Sequence, residues 1–183
     1  MLIHTPNLRI STCTPEQLDA IVRDPKSLAA LLNVSIPDGW PYFPQAYPHL
    51  RELLKQDPLR PYSGWWLYLF VRPEERALVG CGGFQDKPSA DGVVEVGCEI
   101  APAYRGRGYA SEALGALVRY AFTRPEVEAV DAHSGPADSA SARVLAKCGM
   151  QVIGKDQDAR AGQILHWRIT RDEYLRGRQR KVA

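Results

Sequence analysis

Polar and apolar positions change period several times along this chain, and each change marks an element. Residues 8–11 alternate as a short strand. Thr14, Pro15, Glu16 and Gln17 then spell a helix start, with a hydroxyl cap, proline at the first helical position and a glutamine that can reach back to the cap. Leu18, Ile21 and Val22 continue at helical spacing, Pro25 interrupts, and residues 27–33 supply a second helical piece. Residues 49–55 suit another helix, and two strands follow over 65–72 and 77–85, separated by a turn at Pro73 and Glu74. Residues 93–100 set Val94, Val96, Cys98 and Ile100 on one side and Glu95, Gly97 and Glu99 on the other, a third strand that completes an antiparallel meander. The period then turns helical, because Ala110, Ala113, Leu114, Leu117, Val118, Ala121 and Phe122 line one stripe. Strands at 127–132, 150–154 and 164–169 accompany a short helix at 138–147, capped by Asp138 and ended by Gly149.

One stretch has no period. Residues 31–48 carry Pro37, Pro41, Pro44 and Pro48 interleaved with Trp40, Tyr42, Phe43 and Tyr47, which predicts a loop. Its aromatics either wall a binding pocket or cover the core.

Composition narrows the class. With 183 residues, 45% of them apolar and 24% charged, the chain can bury a substantial core and is expected to form a single domain. Its first residues lack a basic, apolar leader, and the longest strongly apolar stretch, 65–71, is too short to span a bilayer, so a cytoplasmic location is expected. Cys13, Cys81, Cys98 and Cys148 are scattered without zinc or redox spacing and are expected to be free thiols, and no metal is expected. A net charge of +2 gives no general attraction for nucleic acid, and the basic end at 176–183, with Arg176, Arg178, Arg180 and Lys181, is expected to be a solvated tail.

The segment Tyr104, Arg105, Gly106, Arg107, Gly108, Tyr109, Ala110 joins the third meander strand to the long helix. Two glycines allow backbone N–H groups to approach a ligand closely, and the helix start adds further donors and the positive end of its dipole. With two arginines, the segment is suited to an anion. It is neither a Walker loop, since no Gly-Lys-Ser/Thr follows, nor a dinucleotide fingerprint, since the third glycine is replaced and the preceding sheet is antiparallel.

The run Glu95-Val-Gly-Cys-Glu-Ile-Ala-Pro-Ala-Tyr-Arg-Gly-Arg-Gly-Tyr-Ala-Ser-Glu-Ala-Leu114 resembles the core of the GNAT acetyltransferases, in particular the branch that acetylates ribosomal-protein N-termini. Arg105, Gly108 and Ala110 match the family's Arg/Gln-x-x-Gly-x-Gly/Ala motif, and the resemblance extends over residues 8–169. It implies an α+β fold: a mixed, mostly antiparallel sheet that splays at its centre, helices on both faces, and acetyl-coenzyme A inserted in the splay. The pyrophosphate would rest on Arg105, Gly106, Arg107, Gly108, Tyr109 and Ala110, with the pantetheine arm along Ile100 and Ala101. The segment from Asp138 to Gly149 matches the second cofactor-contacting helix, with Asp138 where the family has Asn and Met150 where it has Phe. An ionised Asp cannot donate as an Asn amide does, so Asp138 either contacts the cofactor differently or serves only as a cap.

Acetyl transfer needs a neutral amine. An α-amino group is about one tenth neutral at pH 7, whereas a lysine is neutral in well under ~0.1% of molecules, so a lysine acceptor needs a base more urgently. Glu95 and Glu99, on the polar side of the strand that enters the anion turn, are the candidate bases. Each is otherwise a solvated or ion-paired strand residue. By the resemblance, Ser141 stands where the family branch places a proton donor to the departing thiolate; its other reading is a first-turn serine bonding its own backbone. His133 and Tyr47 are lesser candidates, and a backbone N–H near Ile100 would serve the developing oxyanion. The expected activity is direct transfer from acetyl-coenzyme A to a primary amine, on a peptide N-terminus or a small molecule, by a monomer or homodimer. The alternative is an acyl-coenzyme A-binding module without chemistry.

Overall fold

The computed structural model describes residues 1–41, 44–137, 139–158 and 162–179, apart from the side chain of Asp158. Tyr42, Phe43 and Asp138, singled out above, lie outside the described residues, as do Arg180 and Lys181 of the basic end. In chain order the elements are β1 (Leu2–His4), β2 (Arg9–Thr12), α1 (Pro15–Arg23), α2 (Ser27–Leu32), α3 (Ala46–Gln56), α4 (Arg60–Ser63), β3 (Leu67–Arg72), β4 (Ala77–Phe84), β5 (Val93–Ile100), α5 (Tyr109–Ala121), β6 (Ala129–Ser134), α6 (Ala140–Lys147), β7 (Gln151–Asp158), β8 (Gly162–Thr170) and α7 (Arg171–Gln179). The described strands form a mixed sheet in the order β1-β2-β3-β4-β5-β6-β8-β7, as the resemblance implied. No described helix is long and apolar enough to cross a membrane.

The residues group into two compact units, one of Met1–Gly83 with Cys98–Ala113, the other of Phe84–Gly97 with Leu114–Ala183. In the first, α1 begins as the sequence predicts. The Thr14 hydroxyl accepts from the Gln17 N–H at 3.2 Å, and the Gln17 side chain accepts from the Thr14 N–H at 2.9 Å. Leu18 and Ile21 of that helix enter a core with Leu28, Trp40, Tyr47, Trp66, Leu69, Val71, Leu78 and Cys81. β4 lies against the C-terminal part of β5, where the Ala101 N–H donates to the Val79 carbonyl at 2.9 Å. That approach requires Gly80, because a Cβ there would lie 2.2 Å from the Glu99 carbonyl oxygen.

In the second unit β5 runs parallel to β6 over Val93–Glu95, with Val93 opposite Ala129 and Glu95 opposite Asp131. β8 then pairs antiparallel with both β6 and β7.

Four expectations change. The irregular stretch ends at Gln45, and α3 takes in Tyr47 and Pro48, because a proline in the first turn lacks an N–H that has no helical partner anyway. β1 escapes a pattern-based reading since three residues are too few to show a period. The cap of α6 is Ser139, whose hydroxyl accepts from the Ala142 N–H at 3.1 Å. Arg176 and Arg178 belong to α7 rather than to a tail. A Thr-x-x-Glu box starts that helix, with the Thr170 N–H and hydroxyl both donating to Glu173 at 2.9 and 2.8 Å.

The N-terminal segment is tied down within the first unit by one carboxylate. Glu112, in the first turn of α5, accepts from the Thr5 hydroxyl and from the backbone and side-chain amides of Asn7, at 2.5, 2.7 and 2.9 Å. Partial burial works against its charge, but these donors outweigh it and hold the carboxyl below its ordinary value. A depressed carboxyl contributes stability above its unfolded value, near about 4.3, and loses it as pH falls through the folded value. Glu112→Gln should therefore lower the urea midpoint at pH 7, with a stability loss of about 1 kcal/mol after allowing for solvent screening. The difference between the two proteins should shrink as the pH is brought below about 4.

Candidate active site

The meander and the long helix meet in the anion turn, which the first unit contains whole. A 3₁₀ turn, Pro102–Tyr104, follows β5, and the Arg105 guanidinium donates from Nε to the Ile100 carbonyl at 2.9 Å, bracing the turn against the strand end. Gly106 and Gly108 have φ of +75° and +85°, values that side-chain-bearing residues rarely adopt, and a Cβ at either would meet nothing within 4 Å. The Gly108 carbonyl accepts from the Glu112 N–H at 3.0 Å, so the N–H groups of Tyr109 and Ala110 precede the first backbone bond of α5. Arg107 lies over the Tyr104 ring at 5.4 Å, with its guanidinium 3.8 Å from Glu75. Tyr109 is buried beneath Arg72, whose guanidinium is 5.6 Å from the ring centroid.

Ladder alternation fixes what the strand before the turn presents. Ala101 pairs with β4, and β5 alternates, so the backbone groups of Ile100 face away from β4. On the polar side Glu99 meets two residues distant in sequence. Its Oε1 accepts from the Cys81 thiol at 3.3 Å and lies 3.5 Å from the Tyr47 hydroxyl, and that hydroxyl is 3.2 Å from the Cys81 sulfur. Burial, reinforced by the charge of Glu99, pushes the Cys81 thiol well above its usual value; burial with Cys81 and Glu99 does the same to the Tyr47 phenol. Both remain protonated donors at neutral pH. Trp40 packs edge-on against Tyr47 with ring centroids 6.1 Å apart, as a buried core residue.

Glu95 has a different company, within the second unit. It accepts from the Gln85 amide and pairs with His133 Nδ1 at 2.9 Å, while His133 Nε2 lies 2.8 Å from Asp156. Partial burial opposes charge on that imidazole, but bonds to Asp156 and Glu95 prevail and raise its pKa above the ordinary value. Ser141 is exposed near the start of α6, its hydroxyl 3.1 Å from that of Ser139.

A family model described as Acetyltransferase (GNAT) domain matches residues 7–151. The chain belongs to the GNAT acetyltransferases. It is thereby an acetyl-coenzyme A-dependent acyltransferase. It is 26% identical over 170 residues to the uncharacterized N-acetyltransferase YjdG of Bacillus subtilis (strain 168), a match covering 91% of this chain and 96% of that relative. Its fold is similar to that of RimL, a ribosomal L7/L12 α-N-protein acetyltransferase solved with coenzyme A, with a TM-score of 0.68, 16% identity, and coverage of 93% of this chain and 98% of the other. It is similar also to the ribosomal-protein-S5-alanine acetyltransferase of Vibrio fischeri, with a TM-score of 0.69, 15% identity, and coverage of 95% and 98%.

Of the residues that sequence singles out, this GNAT chain brings Glu99 and Tyr47 together, and Ile100 and Arg105. Glu95 and Glu99, which the strand pattern treats alike, enter separate networks. Cys81 gives no sign in sequence beyond being a buried thiol. Asp131, Asp156, His166 and Arg168 also pass unnoticed, although the alternation of 164–169 already puts His166 and Arg168 on one side of a strand, opposite Trp167 and Ile169.

Proposed function

We propose that this GNAT enzyme acetylates a primary amine by direct transfer, with Glu99 as the general base. The carrying observation is the Glu99 carboxylate itself, held by Cys81 and Tyr47 on the strand that runs into the anion turn. Bound acetyl-coenzyme A supplies the activated acetyl group. The backbone of Arg105 through Ala110 would hold its pyrophosphate, and the outward N–H of Ile100 is the donor suited to the carbonyl oxygen as that atom gains charge. Glu99 attracts the cationic amine and removes its proton, leaving the neutral nucleophile that attack on the thioester requires.

A covalent relay through Cys81 is disfavoured by its surroundings. A nucleophilic cysteine acts as thiolate, and burial beside a carboxylate keeps this one as thiol. Ser141, exposed on α6, is the proposed proton donor to the departing coenzyme A sulfur. Glu95 is the weaker base candidate because it stands four residues farther from the anion turn on the same strand, paired with His133.

The test is a panel of primary amines, from small polyamines to short peptides with free N-termini, assayed for acetyl-dependent thiol release with mass confirmation of the product. At least one amine class should turn over with an N-acetyl product and no acetylated enzyme. Tight coenzyme binding with no turnover across the panel would defeat the proposal and favour the binding-module reading.

A further inference from the structure

The second unit gathers two histidines and three carboxylates on one side of its sheet, and the strand registers explain why. His133 of β6 sits directly opposite His166 of β8, and Asp131 directly opposite Arg168. Glu95 is opposite Asp131 across the parallel pair, and β7 brings Asp156 alongside through a register shift between Val152 and Gly154. The imidazoles stack with centroids 4.7 Å apart. Asp156 Oδ2 lies 2.8 Å from His133 Nε2 and 3.4 Å from His166 Nδ1.

We propose that His133, Asp156 and His166 form a Zn²⁺ site. Their candidate ligand atoms all lie within 4.8 Å of one another. Tetrahedral zinc with bonds of about 2.0–2.1 Å places neighbouring ligand atoms about 3.3 Å apart, so zinc entry needs a small retreat of Asp156 from His133 and a side-chain adjustment that draws any wider pair together. Asp156 can make that retreat, since its side chain is 49% exposed.

The surrounding groups complete the case. In zinc sites a ligating histidine characteristically gives its other ring N–H to a carboxylate, which fixes the tautomer and orients the ring. Both histidines do so here: His133 Nδ1 is 2.9 Å from Glu95, and His166 Nε2 is 2.7 Å from Asp131. Asp131 is itself gripped by Arg168, through Nε at 2.7 Å and Nη2 at 2.8 Å. Those bonds to Glu95 and Asp131 leave His133 Nε2 and His166 Nδ1, the two ring nitrogens that meet Asp156, as the ligand atoms, with the cation taking the place of a proton between imidazole and carboxylate. Three carboxylates against one guanidinium leave two negative charges beside the imidazoles, which one divalent ion balances. Two imidazole nitrogens and one oxygen select zinc over magnesium or calcium, which take oxygen ligands. Three protein ligands leave a position for water. Zinc would tie β6, β7 and β8 together and hold His133 against Glu95.

The proposal does not rest on the choice of base or acceptor, and its test reads binding rather than activity. Tag-free, metal-stripped full-length protein should bind one Zn²⁺ with a dissociation constant below about 10 µM by calorimetry at neutral pH, and its melting temperature should rise as zinc is added. Co²⁺ should give intense visible bands of a tetrahedral site, without the thiolate charge-transfer band expected if Cys98 or Cys148 were the ligands. The double variant His133→Ala/His166→Ala should lose at least about 100-fold in affinity, and Asp131→Asn, which leaves the ligands in place, about 10-fold to 100-fold. If native protein shows no stoichiometric binding, or if the double variant, folded by circular dichroism, keeps native affinity, the assignment is overturned.

Discussion

Gly108→Val should reduce the affinity for coenzyme A by at least about 100-fold while leaving the protein folded. A Cβ at this position meets no neighbour within 4 Å, so nothing in the chain forces it out. The backbone does resist, because φ is +85° and a β-branched side chain there costs about 1–2 kcal/mol. For a chain of this size that is a fall in melting temperature of about 5 °C. Binding suffers far more. A β-branched side chain would keep the backbone here from closing on the pyrophosphate, and two lost backbone bonds to that ionised group, at about 1.5–3 kcal/mol each, account for the predicted loss. Calorimetry with coenzyme A alongside a thermal melt separates the two effects. Gly177→Ala is the control, in open space on α7, and its coenzyme affinity should be unchanged. Undiminished binding to Gly108→Val would remove the turn from the coenzyme site.

Glu99→Gln should lower kcat/KM for the amine by about 10²–10⁴-fold with coenzyme affinity unchanged. The substitution keeps the shape and an oxygen that can still accept from Cys81 and Tyr47, but it cannot take up a proton. The acid limb of the pH–rate profile should therefore disappear along with the activity, which separates loss of a base from loss of packing. The effect should be greater for a lysine-like amine than for an α-amino group, since the latter is already partly neutral near pH 7. Glu95→Gln should cost less, because that carboxylate stands four residues farther from the anion turn. If Glu99→Gln keeps both its rate and its acid limb, the base is another group.

Local rules carried much of the way from sequence to fold. Thr14 through Gln17 contain their own helix start, and residues 93–100 display their own two-sided alternation, because each signal lies within a few neighbouring residues. The glycines of the turn before α5 are likewise contiguous, so the backbone freedom that Gly106 and Gly108 use there was legible before any packing was known. Where the signal was too short or shared, reading failed. β1 has three residues, and Pro48, one of four closely spaced prolines, reads as part of the loop although it sits in the first turn of α3. The Thr-x-x-Glu box at Thr170 is a local signal too, but the basic composition that follows it points to a tail.

What the sequence alone determined was the family, a glycine- and arginine-rich turn at the start of the long helix and two equivalent glutamates four positions apart on one strand. Tertiary structure set those glutamates apart, because only register and packing bring Cys81 and Tyr47 to Glu99, and Gln85 and His133 to Glu95. It also decided that His133, Asp156 and His166, scattered along the chain, would share one corner of a sheet. Backbone signals act over a turn or a strand, whereas a cluster assembled by pairing across strands depends on which residues end up opposite one another, and no local period records that.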